Sequence, residues 1–206
     1  MSRFVISGTG TGIGKTVFSA ALVGATRAHY WKPIQAGLDG ETDGETVARL
    51  SGVPTDHILP EAYRLKLAGS PHLAAHRENI EIDAAGLMPP EQPNLIIEGA
   101  GGVLVPLNDQ TLSADVFAHW QIPVILVCTT QLGTISHSLS AIEALKTRNV
   151  LIHGLAFVGD AHPDNEAIIP HISGIRKLGR LPGLYPLEPT ALARAFELNF
   201  SLADFQ

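Results

Sequence analysis

The chain has 206 residues, of which 45% are apolar and 17% charged, with a formal net charge of −6. Those proportions suit one globular domain with a full core and exclude a disordered chain, and the mildly acidic balance argues against general nucleic-acid binding. No apolar run approaches the ~18 residues of a membrane span, Cys128 is the single cysteine, and the first residues carry no signal-peptide pattern, so the expected chain has no membrane partner, no intrachain disulfide and a cytoplasmic location.

A short apolar strand, Phe4-Val5-Ile6, comes first. It leads into Gly8-Thr9-Gly10-Thr11-Gly12-Ile13-Gly14-Lys15-Thr16, and a helical stretch runs from Val17 to Arg27. Strand, glycine-rich loop ending in Gly-Lys-Thr, then helix is the order that cradles nucleotide phosphates. Glycines let successive backbone N–H groups curl around an anion, and the free N–H groups of the helix start add to the attraction. Lys15 is placed to reach the β- and γ-phosphates, and the Thr16 hydroxyl to take one position on Mg²⁺. The strict pattern needs a glycine five residues before Gly14. Thr9 stands there and Gly8 lies one further back, so this loop is one residue longer.

The next strand is expected over His29 to Ile34. A turn-rich segment follows, with Gly37, Gly40 and Gly44. Thr46 to Leu50 reads as a short helix stopped at Ser51-Gly52-Val53-Pro54. Prolines 60, 71, 89, 90 and 93 interrupt residues 55–93, leaving room for short helices near Pro71 to His76 and Asp83 to Leu87. Asn94 to Ile97 is a strand running into Glu98-Gly99-Ala100-Gly101-Gly102. Ser113 to Trp120 is a helix with Ser113 as its cap. Pro123 to Cys128 is continuously apolar, as in a strand buried on both faces. Ser136 to Thr147 is an amphipathic helix and Ile152 to Val158 a strand. A helix near Asn165 to His171, a strand at Lys177 to Leu181 and a helix from Thr190 to Leu198 complete the chain. This alternation predicts an α/β fold: a doubly wound, mostly parallel sheet with helices on both faces, of the P-loop NTPase type, in one domain over 1–206.

Lys32 falls at the end of the second strand. In an open α/β sheet, strand carboxyl ends face the ligand crevice. Position alone leaves a second cation beside Lys15 and a solvated strand-end lysine equally open. Glu98 closes a buried strand and opens a glycine run, where a P-loop protein commonly faces its Mg²⁺ with a carboxylate. Asp43 reads as a helix-cap residue that could lend a second carboxylate. Gly133-Thr134-Ile135-Ser136 opens a helix whose free N–H groups could meet an anion or only water. Asp160 and His162 read as loop residues.

Taken together these stretches resemble the dethiobiotin synthetase family. The resemblance is carried by residues 8–16, Lys32-Pro33, Asp43, Ser70-Pro71-His72-Leu73-Ala74, Glu98 to Gly102, Pro123 to Val127, Leu132 to Ser136 and Leu178-Gly179-Arg180-Leu181-Pro182. It implies an ATP- and Mg²⁺-dependent closure of a cyclic urea on 7,8-diaminononanoate with CO₂, by way of a carbamate and a carbamic-phosphoric anhydride, in a homodimer. It also implies roles. Lys32 and Lys15 are catalytic. Gly12, Ile13, Gly14, Lys15, Thr16 and Val17, with Glu98, Gly99, Ala100 and Gly101, bind the nucleotide. Thr16, Asp43 and Glu98 hold Mg²⁺. Thr11, Lys32 and Ala36 face the substrate, whose tail carboxylate is received by Thr134, Ile135 and Ser136 across the dimer.

Three departures from the family pattern stand out. Gly10 and Gly12 stand where acidic residues are usual, and Ala36 where a Ser or Thr is often found. Val158-Gly159-Asp160 replace a base-reading Asn, which leaves the base to the backbone of Pro182, Gly183 and Leu184. Two other P-loop readings compete. A cobyrinate-type amidoligase usually adds a glutaminase domain that 206 residues cannot hold. A septum-site ATPase typically carries a second lysine early in its loop, absent from residues 8–13, and often a basic membrane helix, absent from Thr190 to Gln206. A guanine-reading N-K-x-D stretch is also absent.

Overall fold

A computed structural model describes residues 2–206. In chain order the elements are β1 (Arg3–Gly8), α1 (Lys15–Thr26), β2 (His29–Trp31), β3 (Ile34–Ala36), α2 (Asp43–Ser51), β4 (Ile58–Leu59), β5 (Tyr63–Leu65) and α3 (Pro71–Arg77). There follow β6 (Leu95–Glu98), α4 (Ser113–Trp120), β7 (Val124–Thr129), α5 (Thr134–Thr147), β8 (Ile152–Val158), α6 (Pro163–Ser173), β9 (Lys177–Leu181) and α7 (Pro189–Asn199). Single 3₁₀ turns lie at Thr55–His57 and Leu202–Phe205.

Seven strands form one sheet in the order β4-β2-β6-β1-β7-β8-β9, every pair parallel. β1 is central, between β6 and β7, so the loop after it opens into the crevice at the carboxyl ends of the strands. β7 is apolar from Val124 to Cys128 because both of its faces are covered. One face packs Phe18 and Leu22 of α1, Val47 and Leu50 of α2, and Leu192 and Phe196 of α7. The other packs Phe117 and Trp120 of α4, Ile142 and Leu145 of α5, and Ile169 of α6. Each such fully buried side chain contributes about 1.5–3 kcal/mol of transfer free energy, which anchors both helix layers.

The expected architecture is present, with three local corrections. The strand expected over His29 to Ile34 is broken. β2 stops at Trp31, Lys32 and Pro33 leave the ladder, and β3 pairs instead with β5 in a separate two-stranded sheet. Pro33 has no N–H to donate, so the ladder cannot run through it. The helix expected near Asp83 to Leu87 does not form. Residues 84–86 form a bend instead, in which the Asp83 carboxylate accepts from Gly86 N at 2.9 Å and the Tyr63 hydroxyl accepts from Asp83 N at 2.9 Å. Ser113 is not the cap of α4. Leu112 occupies that position, Asp115 accepts from its N–H at 2.8 Å, and the Ser113 hydroxyl donates to Val105 O.

Candidate functional site

The site begins with the loop between β1 and α1. Gly14 caps α1 with φ +93°, and a Cβ there would stand 2.6 Å from Val158 Cγ1. Only glycine takes this left-handed, crowded position without strain, and it allows α1 to start at Lys15 with its first N–H groups free. The Lys15 ammonium folds back over the loop and donates to Gly10 O at 2.6 Å. Burial, opposed by Glu98 and aided by the neighbouring charge of Lys32, lowers its pKa to about 8.

The break after β2 places Lys32 in the same cleft. Its ammonium lies 2.6 Å from Asp43 Oδ2 and 3.2 Å from Glu98 Oε1, and only 5% of the residue is exposed. Burial works to lower the Lys32 pKa, but Glu98 and Asp43 outweigh it and the result is raised, so Lys32 stays charged. Burial works to raise that of Asp43, and Lys32 reverses the sign, so Asp43 stays ionised.

Asp43 opens α2, and the cap is its neighbour. The Thr42 hydroxyl accepts from Glu45 N at 3.3 Å while the Glu45 carboxylate accepts from Thr42 N at 2.7 Å. The cap is therefore Thr42 and not Asp43, whose carboxylate lies in the cleft lining. Glu98, at the end of β6, is buried.

The Thr16 hydroxyl sits 2.7 Å from Asp43 Oδ1 and 2.9 Å from Glu98 Oε1. It has one hydrogen to donate and faces two carboxylate oxygens, so one acceptor goes without it. Three hard oxygen donors converging with surplus acceptor capacity fit Mg²⁺. Among the described residues no group of three or more His, Cys, Asp or Glu could hold a metal. A magnesium site does not need one, because Mg²⁺ commonly takes one or two carboxylates with substrate phosphates and water.

These groups line one cleft of about 720 Å³ together with Thr11, Gly12, Gly14, Val17, Ala36, Ala100 and Gly101. Ile13 instead packs against the core beneath α1, and Gly99 N is bound to Ile6 O at 2.9 Å. Pro182, Gly183 and Leu184 lie outside the cleft lining. They follow β9, whose Leu181 pairs with Val158, the residue that abuts Gly14. Thr134, Ile135 and Ser136 are also outside it. The Thr134 hydroxyl is turned inward onto Thr129 O, while Ile135 and Ser136 are exposed beside a fully exposed Leu132.

Two participants escaped the sequence reading. Tyr30 donates to Glu98 Oε2 at 3.0 Å, and its hydroxyl is held well above its ordinary pKa by burial and then by Glu98, so it remains a donor. The signal was its spacing, two residues before Lys32 and so on the same side of an extended chain. Gln35 accepts from Asp43 N at 3.3 Å and donates to Gly37 O at 3.2 Å, tying the cleft loop to the start of α2.

Residues 2–191 match a sequence family described as an AAA domain. The chain is 58% identical to the ATP-dependent dethiobiotin synthetase BioD of Agrobacterium fabrum over 98% of its length and 96% of that protein. It is 57% identical, over all of both chains, to the ATP-dependent dethiobiotin synthetase BioD of Sphingopyxis alaskensis. The chain belongs to the dethiobiotin synthetase family. Among solved structures it resembles a ParA family ATPase from Chlorobium tepidum (TM-score 0.51, 10% identity, 96% of this chain and 92% of that one). It also resembles a chain of the MinC:MinD cell division complex of Aquifex aeolicus (TM-score 0.51, 13% identity, 95% and 86%). At such identities the likeness concerns the P-loop fold alone, on which the dethiobiotin synthetase family places its own site.

Proposed function

We propose that this chain carries out the ATP-dependent carboxylation and ring closure of 7,8-diaminononanoate with CO₂, giving dethiobiotin, ADP and phosphate. The observation that carries the reading is the convergence of Lys15, Lys32, Thr16, Asp43 and Glu98 on one cleft in a chain 58% identical to a dethiobiotin synthetase. One amine of the substrate bonds to CO₂ and loses a proton, forming a carbamate. A carbamate oxygen then attacks the γ-phosphorus of ATP and ADP leaves. The second amine attacks the resulting carbonyl, loses its proton, and the bond to phosphate breaks.

In this scheme Gly12 to Val17 wrap the phosphates, with Ala100 and Gly101 beside them, and Lys15 and Lys32 neutralise the two anions that must meet. Without cations, unit charges about 4 Å apart repel by about 4 kcal/mol at an effective dielectric of 20. Thr16, Asp43 and Glu98 hold Mg²⁺, which when bound screens the phosphate charge and orients the γ-phosphoryl group. Thr11, Ala36 and the backbone beside Lys32 face the diamine. Ala36 offers it no hydroxyl, so its amines rest on Thr11 and on backbone.

Thr134, Ile135 and Ser136 serve the substrate carboxylate in the cleft of a second copy. Their position outside their own cleft supports a homodimer in which each site is completed by its partner. The base of ATP lies against Val158 and the backbone of Pro182, Gly183 and Leu184. Among the described residues no helix is long and apolar enough to cross a membrane, and we place the reaction in the cytoplasm.

The test is phosphate release from the purified protein with ATP, Mg²⁺ and bicarbonate, with and without 7,8-diaminononanoate, with products followed by mass spectrometry. Diamine-dependent release with a product heavier by CO₂ minus water supports the reading. Phosphate release indifferent to the diamine overturns it.

A further inference from the structure

The two oxygens of Glu98 have different surroundings. Oε1 faces the cleft, 2.9 Å from the Thr16 hydroxyl and 3.2 Å from the Lys32 ammonium. Oε2 is turned into the protein, where the Tyr30 hydroxyl donates to it at 3.0 Å. Among the described residues Tyr30 is the only donor on Oε2. Glu98 is 1% exposed and Tyr30 is fully buried, so water does not substitute for that hydrogen bond. Tyr30 is itself fixed on β2, paired with Ile58 of β4 on one side and Ile96 of β6 on the other. Its ring therefore cannot follow the carboxylate if Glu98 rotates.

We infer that Tyr30 is the positioning residue of the metal site: it anchors the inner oxygen of Glu98 and so presents the outer one to the cation. The inference rests on the reading of Glu98 as a metal ligand. A ligating carboxylate with an outer partner is held in one orientation, and removal of such a partner typically weakens metal affinity about 10- to 100-fold. Without the hydroxyl, buried Oε2 has no donor. It satisfies itself by turning toward Lys32 or Thr16, the donors already on Oε1, and the oxygen offered to the cation is lost.

Tyr30→Phe keeps the ring and removes only the hydroxyl. The readout is the ratio of dissociation constants for a non-hydrolysable ATP analogue without and with saturating Mg²⁺, measured by calorimetry on wild type, Tyr30→Phe, Glu98→Gln and the double variant. The ratio is expected to fall about 10- to 100-fold in Tyr30→Phe, with the metal-free affinity unchanged. Glu98→Gln is expected to lower it at least as far, and the double variant no further than Glu98→Gln. If Glu98→Gln keeps the wild-type ratio, the reading of Glu98 fails and this inference with it. If Glu98→Gln collapses the ratio and Tyr30→Phe does not, Glu98 stands and the role of Tyr30 is overturned. A drop in melting temperature with the ratio intact is the signature of a merely structural tyrosine. Should Tyr30→Phe fold poorly, wild-type protein grown with 3-fluorotyrosine supplies the second measurement. The Tyr30 fluorine resonance must shift when Mg²⁺ is added to the analogue complex, and an unmoved resonance refutes the inference.

Discussion

Lys32→Met separates the pairing that Lys32 makes in the structure from the catalytic role proposed for it. The side chains are similar in length and volume, so the change removes a charge and leaves the packing. In the structure that charge sits 2.6 Å from Asp43 and 3.2 Å from Glu98. Its loss leaves Asp43 and Glu98 without their nearest cation. Breaking a fully buried pair costs about 3–5 kcal/mol. The Asp43 side chain keeps 31% of its surface in water, so about 2–3 kcal/mol of stability is expected to go. Turnover loses more. A unit charge about 4 Å from the transferring phosphoryl group is worth about 4 kcal/mol at an effective dielectric of 20, close to a thousandfold in kcat. Metal binding moves the other way. Lys32 competes for the same two carboxylates, and a divalent ion about 5 Å from it is repelled by about 1.7 kcal/mol even at the dielectric of water. The variant is therefore expected to bind Mn²⁺ roughly tenfold more tightly while turning over about a thousandfold more slowly. Phosphate release, calorimetry with Mn²⁺ and urea unfolding read the three effects separately. Turnover within tenfold of wild type, or weakened metal binding in a folded variant, would refute the reasoning.

Gly14→Ala should lower stability by about 2–4 kcal/mol and abolish nucleotide binding, because φ +93° and Val158 both oppose a methyl group; an unchanged urea midpoint would contradict this. Thr42→Ala removes the cap of α2, is expected to cost about 1 kcal/mol, and should raise the Mg²⁺ concentration needed for half-maximal activity as Asp43 loosens. Cys128 is buried, and burial pushes its thiol from 9.0 up to about 12. At pH 8 the native protein should react with a disulfide reagent more than about a thousandfold more slowly than the unfolded chain. Since the folded value lies above the unfolded one, this contribution to stability is complete below pH 9 and fades as pH rises from 9 toward 12. Rapid labelling of native protein at pH 8 would show that Cys128 is not enclosed.

The sheet and the phosphate loop were legible because their signals are local. β8 and β9 begin and end at the residues expected from sequence, and the glycines before Lys15 mark the loop. Between residues 55 and 93 α3 was legible from Pro71, but the rest was not, because its order comes from distant partners. Leu87 O accepts from Trp120 Nε1 at 2.7 Å, and Ile82, Ala84 and Leu87 are buried in the core beneath α4. β4 is two residues long and β5 three, too short for any periodicity to register. The site was legible in its charged residues and not in what orients them. Lys15, Lys32, Asp43 and Glu98 stand at strand ends and helix starts, where chemistry is expected. Tyr30 reads in sequence as an ordinary strand residue and Gln35 as the first residue of a turn-rich segment.

The charges of the cleft explain how it stays folded with such polar contents. Lys15 and Lys32 against Asp43 and Glu98 sum to zero, so the group is buried as a neutral set and not as four isolated ions. In the proposed reaction two of these partnerships are replaced, one by the nucleotide and one by the metal. Lys15 is held by a neutral carbonyl, Gly10 O, which a phosphate oxygen outcompetes by its charge. Lys32 is held by the carboxylates that are also the proposed metal donors. Occupation of those donors withdraws them from Lys32 and leaves its ammonium free to face a carbamate. On this account metal and nucleotide loading prepares Lys32 for its second anion. The protein alone keeps it paired, which is why Lys32 is at once nearly buried, firmly charged and available to chemistry.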